Sequence, residues 1–348
     1  MAMKNILLVG NPTAQSGKNA ARIEQARARF AELGTKVGFF STLPAGATVP
    51  ALTGELDAGA FDVVVAMGGD GTFREVGAAI LASKNKESLA LGMLPTGTAN
   101  DQGRSFGLSA SPDSLFHNIE VVLAGHETRI DAGRLTVWDG GAEPVSDALF
   151  FDSAGFGISA RVLRQRNEDR KLVDELGPIK ELYRDQLVYA GALLRTFAES
   201  YILSDKFDAI GTVDGEPVEL RGLIDLVFKN TRIYGGAWIF DPTSRHDDGL
   251  FEIVPFLGKR DWASKAIVDL AGNPLTEEVL NQIGVEHSKN LRGGRVELTL
   301  VPPADVPLHG QVDGEELRAG TRVVLEVLPR ALRLVVPREH SREQPQKT

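Results

Sequence analysis

The 348-residue chain has no cysteine. Disulfides, thiolate nucleophiles and cysteine metal sites are thereby excluded, and the absence suits a reducing compartment. Histidine is scarce as well: His117, His126, His246, His287, His309 and His340 form neither an HExxH pattern nor a tight pair, which argues against a catalytic zinc site. No apolar run approaches the roughly 18 residues a membrane-spanning helix needs. The start, MAMKNILLVG, offers one short strand-like run in place of a secretory signal's charged, apolar and cleavage regions. A cytoplasmic protein without a transmembrane segment is expected. Positive charge is in deficit, with 38 Lys and Arg against 47 Asp and Glu for a net −9, so the average surface repels nucleic acid and acidic bilayers. No nucleic-acid partner is expected.

What is present reads as a folded α/β protein, 43% hydrophobic and 24% charged, long enough for two domains. Asn5 to Gly10, Val37 to Phe40, Phe61 to Met67 and Leu89 to Leu94 read as strands, with helical character over Ala20 to Leu33 and Phe73 to Leu81. Three of these strands run straight into polar glycine loops, the pattern of an open parallel sheet whose ligands sit beyond the strands' carboxyl ends. After about Ile130, strand-sized segments separated by Gly, Pro and Asp turns indicate a second, mostly antiparallel domain. One helical interval interrupts it, with Leu172, Leu176, Ile179, Tyr183, Leu187, Ala190, Leu194 and Phe197 on a repeating face. The expected division is a nucleotide domain over 1–131 completed by the segment 327–338, a β-rich domain over 132–326 and a flexible tail over 339–348.

Chemistry concentrates in a few loops. Gly10 to Lys18 has the glycines of a phosphate loop, but six residues separate Gly10 from Gly17 and Asn19 stands where a magnesium-binding hydroxyl would be needed. Gly68-Gly69-Asp70-Gly71-Thr72 is the stronger signal, because its glycines let the backbone approach an anion while Asp70 and Thr72 stand at a strand end. Pro95-Thr96-Gly97-Thr98-Ala99-Asn100-Asp101 follows another strand, with Arg104 near enough for phosphate contact or a surface ion pair. Two Asp-Gly-Glu segments, at Asp214 and Asp313, read as hairpin turns, and composition does not choose between them. His246-Asp247-Asp248-Gly249 is an acidic turn able to hold a hard cation or simply to face solvent.

In order and content these motifs resemble the diacylglycerol kinase catalytic superfamily, especially its bacterial soluble lipid kinases, which are related to sphingosine kinases and more distantly to NAD kinases. The matching residues are Asn11-Pro12, Gly68 to Thr72, Pro95 to Asp101, Gly155-Phe156-Gly157, Asp248-Gly249-Leu250 and Asp313-Gly314-Glu315. The family departs from this chain after Asn100-Asp101, where an aromatic or aliphatic residue followed by Ala is common and Gln102-Gly103 stands here.

The resemblance implies an N-terminal parallel-sheet nucleotide domain and a β-rich second domain, with ATP and acceptor in the cleft between them. It makes Asn11, Thr13, Gly68, Gly69, Asp70, Gly71, Thr72, Thr96, Gly97 and Asn100 nucleotide or phosphate residues, with Ser41 or Thr42 near the adenosine. It favours Asp313 over Asp214 as catalytic base, with Glu315 competing, and gives Asp70 the task of organising Mg2+ on the phosphates. A separate cation would be held by the Asp248 carboxylate and the carbonyls of Arg245 and Leu250. The implied activity is ATP-dependent phosphorylation of a lipid hydroxyl, diacylglycerol favoured, by a cytoplasmic protein visiting the inner membrane surface; a homodimer is compatible. An NAD kinase-like activity on a nucleotide hydroxyl, and a non-enzymatic nucleotide- or lipid-binding protein, are the alternatives.

Overall fold

The computed structural model describes residues 5–97, 99–164, 206–235, 239–241, 243–258, 261, 289–304 and 306–341. They form two compact units, one comprising Met1–Ala132, His246–Asp248 and Leu328–Thr348, the other Gly133–Arg245 and Gly249–Val327. His246–Asp248 groups with the first unit although it lies within the stretch read as the second domain from strand pattern. The reason is local: the Asp131 N–H donates to the His246 carbonyl at 2.7 Å, and the His246 ring meets Phe106 edge-on with centroids 4.9 Å apart.

The first unit is built on strands β1 (Ile6–Gly10), β2 (Val37–Ser41), β3 (Val63–Gly68) and β4 (Ala90–Pro95), in the order β2-β1-β3-β4 and parallel throughout. The end of β16 (Arg322–Val335) adds a further parallel neighbour, with Leu334 opposite Leu91. Leu8, Val65, Met67 and Leu94 pack against Ile23, Ala26 and Phe30 of α1 (Lys18–Glu32) and Ile119 and Val122 of α5 (Leu115–Ala124). The alternate residues Leu7, Val9, Val64 and Ala66 are also buried. Burial on both faces explains why these strands read as unbroken apolar runs.

Helices α2 (Thr48–Ala58) and α3 (Asp70–Ala82) pack on one another. The sequence reading did not foresee α2, because Pro50 and Gly54 look like breakers; Pro50 falls in the first turn, where no intrahelical N–H is lost. The short α4 (Asp101–Ser105) follows β4.

The second unit contains a six-stranded antiparallel sheet in the order β12 (Leu291–Gly293), β11 (Phe251–Phe256), β10 (Asp225–Lys229), β7 (Ser153–Gly157), β14 (Gly310–Val312), β15 (Glu315–Leu317). Against it pack antiparallel strands β8 (Phe207–Val213), β9 (Glu216–Leu223), β13 (Arg295–Val301) and the start of β16, together with the pair β5 (Glu127–Trp138) and β6 (Ser146–Phe150). Phe150, Phe156, Phe228, Phe251, Leu298 and Leu325 fill the space between, with the Phe150 and Phe251 rings stacked at 5.3 Å. Two of the boundaries between units fall inside β5 and β16, and the other two flank His246–Asp248. Residues 158–164 open a helix, whereas the expected helical face from Leu172 to Phe197 lies outside the described residues.

Candidate active site

Because β2, β1, β3 and β4 are parallel neighbours, their carboxyl ends share one edge, where Gly10 is opposite Ser41 and Met67, and Gly68 is opposite Pro95. Every nucleotide-site candidate read from the sequence lies at the strand ends of that edge or in the loops and helix turns that leave it. After β1, the Asn11 side-chain oxygen accepts the Thr13 N–H at 3.0 Å and the Thr13 hydroxyl at 2.8 Å, while the Asn19 amide closes the loop on the Asn11 carbonyl at 2.8 Å. Gly17, at φ 85°, turns the chain into α1, which opens on the exposed Lys18. Ser41 ends β2, and the Thr42 N–H donates to the Gly10 carbonyl at 3.1 Å.

The glycine-rich motif is less of a loop than its composition suggests. Helix α3 begins at Asp70, so Asp70-Gly71-Thr72 is its first turn, at the end where unsatisfied N–H groups and the helix dipole favour an anion. Glycine is required by contact. A Cβ on Gly68 would fall 2.3 Å from the Thr72 hydroxyl oxygen, and one on Gly97 would fall 2.5 Å from the Cα of Gly69. The β3 and β4 loops therefore touch backbone to backbone, and the N–H groups of Thr96 and Gly97 donate to the Gly68 carbonyl at 2.8 and 3.3 Å.

Asn100 holds the second loop. It adopts the left-handed conformation (φ 54°), its side-chain oxygen accepts the Gly97 N–H at 2.9 Å and its amide donates to the Gly97 carbonyl at 2.6 Å. Asp70 reaches the same place, Oδ1 accepting the N–H of Gln102 at 3.2 Å. Arg104 donates through Nε to the Ala99 carbonyl at 3.0 Å, bracing the loop. Thr98 lies outside the described residues.

Behind these loops Gln102 is 2% exposed, and among the described residues neither its amide nitrogen nor its amide oxygen has a hydrogen-bond partner. Asp70, Asn100 and Gln102 line a cavity there of about 10 Å³. The sequence signal was the polar step at Gln102-Gly103; its burial was not readable, because α4 is too short to show a periodic face.

In the second unit, Asp313 (φ 45°) and Gly314 (φ 75°) turn the β14–β15 hairpin. The Asp313 side chain is buried, and its carboxylate accepts the N–H groups of Phe151 at 2.9 Å, Asp152 at 2.8 Å and Ser153 at 3.0 Å. Three successive amides thus form a concave anion nest occupied by a carboxylate. Glu315, two residues on, begins β15 and is exposed. Gly155-Phe156-Gly157 is a packing motif: Phe156 is in the core, and a Cβ on Gly157 would fall 2.4 Å from the Ile224 carbonyl oxygen.

The cation candidates divide, Asp248 grouping with the first unit and Arg245 and Leu250 with the second. One carboxylate and two carbonyls are an all-oxygen set of the kind that suits a hard cation such as Mg2+. Among the described residues no cluster of three His, Asp or Glu side chains could hold a metal by itself, so backbone carbonyls would have to contribute.

Residues 5–135, which contain the whole shared edge, match the diacylglycerol kinase catalytic domain. The chain is 27% identical over 277 residues, 79% of its length and 78% of the relative, to the Salmonella arizonae protein named "Probable lipid kinase YegS", and equally to its Salmonella newport counterpart. In fold it is similar to a diacylglycerol kinase from Bacillus anthracis, with TM-score 0.66 at 18% identity, covering 97% of this chain and 99% of the other. Among the described residues, no helix is long and apolar enough to cross a membrane.

Proposed function

We propose that the protein is an ATP-dependent lipid kinase that transfers the γ-phosphate to a lipid hydroxyl, with diacylglycerol as the favoured acceptor. The observation that carries this reading is the shared edge of the parallel sheet, where α3 opens on Asp70 and the Gly68-Gly69 and Thr96-Gly97 backbones are stitched together. Such an edge presents amide N–H groups and few side chains, as polyphosphate binding needs. The names of the curated relatives supply the lipid acceptor.

In this reading Asn11, Thr13, Gly68 to Thr72, Thr96, Gly97 and Asn100 hold the nucleotide, with Ser41 or Thr42 beside the adenosine. Mg2+, when bound, would offset phosphate charge, and Asp70 is the carboxylate that would organise it in this reading. Asp248, with the carbonyls of Arg245 and Leu250, would hold the separate cation. Asp313 accepts the proton of the acceptor hydroxyl as its oxygen bonds to the γ-phosphorus and the bond to the β-phosphate oxygen breaks, releasing ADP with that electron pair. Its three amide donors fix the carboxylate's direction, whereas Glu315 is exposed at the start of β15. The protein would work at a membrane surface without spanning it.

Labelled ATP offered with detergent-dispersed diacylglycerol, monoacylglycerol, phosphatidylglycerol, a sphingoid base and NAD tests the proposal. Phosphorylated lipid is the expected product, diacylglycerol giving the highest turnover. Phosphorylation of NAD with no lipid turnover would overturn it.

A further inference from the structure

Asp152, whose N–H is one of the three on Asp313, carries a carboxylate of its own that is committed elsewhere. Its Oδ1 accepts the ammonium of Lys229 at 2.7 Å and the hydroxyl of Thr231, and its Oδ2 accepts the Ser153 hydroxyl at 2.9 Å. Asp152 and Lys229 are each 2% exposed, with Ser153 at 2% and Thr231 at 1%. The Lys229 ammonium is satisfied on its other sides, donating to the Ile233 carbonyl at 2.6 Å and lying 5.3 Å over the centre of the Tyr234 ring. The intervening Asn230 completes the grip: its N–H donates to the Asp152 carbonyl at 2.8 Å and its side-chain amide to the Phe151 carbonyl at 2.9 Å.

The Phe151 and Asp152 carbonyls and the Asp152 side chain are therefore held by residues 229–231, while the three amides of 151–153 face Asp313. A fully buried ion pair is poor value as a source of stability, because desolvation offsets most of its attraction and an apolar pair of similar size often does as well. What the pair does supply is direction. Lys229 and Thr231 fix the Asp152 carboxylate, and with Asn230 they fix the peptide planes on either side of it. The strand ladder reaches only Ser153, which pairs with Lys229 and whose carbonyl accepts the Asp313 N–H at 2.8 Å; Phe151 and Asp152 lie beyond it and are held by the contacts with 229–231.

We propose that Lys229 and Asp152 are positioning residues for Asp313: the buried pair sets the amide nest that aims the Asp313 carboxylate. This inference rests on the reading of Asp313 as proton acceptor, and its consequence is kinetic. Removing the pair should lower the rate of transfer and leave ATP binding, which belongs to the other unit's loops, unchanged.

Deleting one charge alone would strand its partner in the interior, so the informative variant removes both, Asp152→Asn with Lys229→Met, keeping size and net charge. With Mg-ATP and detergent-dispersed diacylglycerol, kcat should fall about 10- to 100-fold, the loss expected when a reacting group is misplaced by a fraction of an ångström to an ångström, while the KM for ATP stays within twofold. Thr231→Val, which removes one donor to Asp152 and no charge, should give a smaller kcat loss in the same sense and covers the case in which the double variant does not fold. A folded variant with kcat within twofold of the parent would overturn the proposal, as would a loss seen equally in the KM for ATP. If the parent chain phosphorylates none of the acceptors, the kinase reading falls, and hydrogen exchange decides the positioning claim separately. Exchange at the amides of Phe151, Asp152 and Ser153 should rise at least about tenfold in the variants, with β13 amides unchanged; unchanged exchange at 151–153 would overturn it.

Discussion

Asp214 and Asp313 occupy equivalent places in two hairpins. Each has positive φ (51° and 45°), each precedes a glycine at positive φ, and each donates its N–H to a carbonyl on a neighbouring strand whose amides its carboxylate accepts in return. For Asp214 the partners are Gly294 and Arg295, at 2.8 to 3.1 Å. The two differ in burial: Asp214 is exposed and Asp313 is 5% exposed.

That difference separates a fastening from a candidate base. Asp214→Asn should lower stability by about 1 kcal/mol, since one acceptor oxygen is lost at an exposed site, and leave turnover within twofold. Asp313→Asn should lower kcat by roughly 10²- to 10⁴-fold, the range general-base removal gives, and Glu315→Gln by only a few-fold. Urea unfolding run beside the kinase assay distinguishes the two kinds of loss. Turnover surviving in Asp313→Asn but not in Glu315→Gln would move the base to Glu315.

The contact of Gly69 with Gly97 predicts that Gly97→Ala forces the loops after β3 and β4 apart, because the new methyl would meet backbone that has no rotamer to yield. The expected result is at least about a tenfold weaker ATP affinity by calorimetry, a loss of about 1.4 kcal/mol. Gly314→Ala is the control. It has open space around it and only positive φ to resist the change, so its effect should appear as a modest loss of stability. ATP affinity unchanged in Gly97→Ala would remove that contact from the nucleotide site.

The parallel strands were legible because burial on both faces leaves long apolar runs, and the loops because glycine and asparagine mark where the chain must turn. Less legible was anything that depends on partners far apart in sequence. Asp70 looks like a loop residue until α3 is seen to start on it. Lys229 ends the run Asp225-Leu226-Val227-Phe228, where a lysine ordinarily marks the emergence of a strand into solvent; its burial depends on Asp152, 77 positions away. Asp131 is likewise invisible as a buried acid, being fully buried with Oδ1 on the Arg330 N–H at 2.6 Å. Periodicity reports which face is apolar and carries no information about which polar groups will meet.

Gln102 is a local conflict of this kind, a buried amide whose two polar atoms find no partner among the described residues. A leucine would fill similar volume without that penalty. Gln102→Leu should therefore stabilise the protein by about 1 to 2 kcal/mol in urea unfolding, the range associated with a buried polar group left unpaired. The backbone N–H of residue 102, which Asp70 accepts, is unaffected by the change. A destabilised variant would show that the amide has a use within the loop.

The β5–β6 pair gives the chain a small acid-dependent term. Arg134 grips Asp147 with two bonds, Nε to Oδ1 at 2.9 Å and Nη2 to Oδ2 at 2.6 Å. Those hydrogen bonds hold the Asp147 carboxyl below its usual value, outweighing desolvation, with the Arg134 charge and the Thr136 hydroxyl adding in the same direction. A carboxyl lowered in the folded state binds its proton more readily when unfolded. The stabilisation is therefore complete above the unfolded value of about 4 and disappears as pH falls through the lower folded value. Both side chains are substantially exposed, 51% and 40%, so solvent screening limits the effect to a few tenths of a kcal/mol. The difference in unfolding free energy between the parent and Asp147→Asn should stay constant from about pH 7 to pH 5 and shrink toward pH 3. A difference that grew as the pH fell would place the dominant interaction with the protonated acid, contrary to the geometry of the pair.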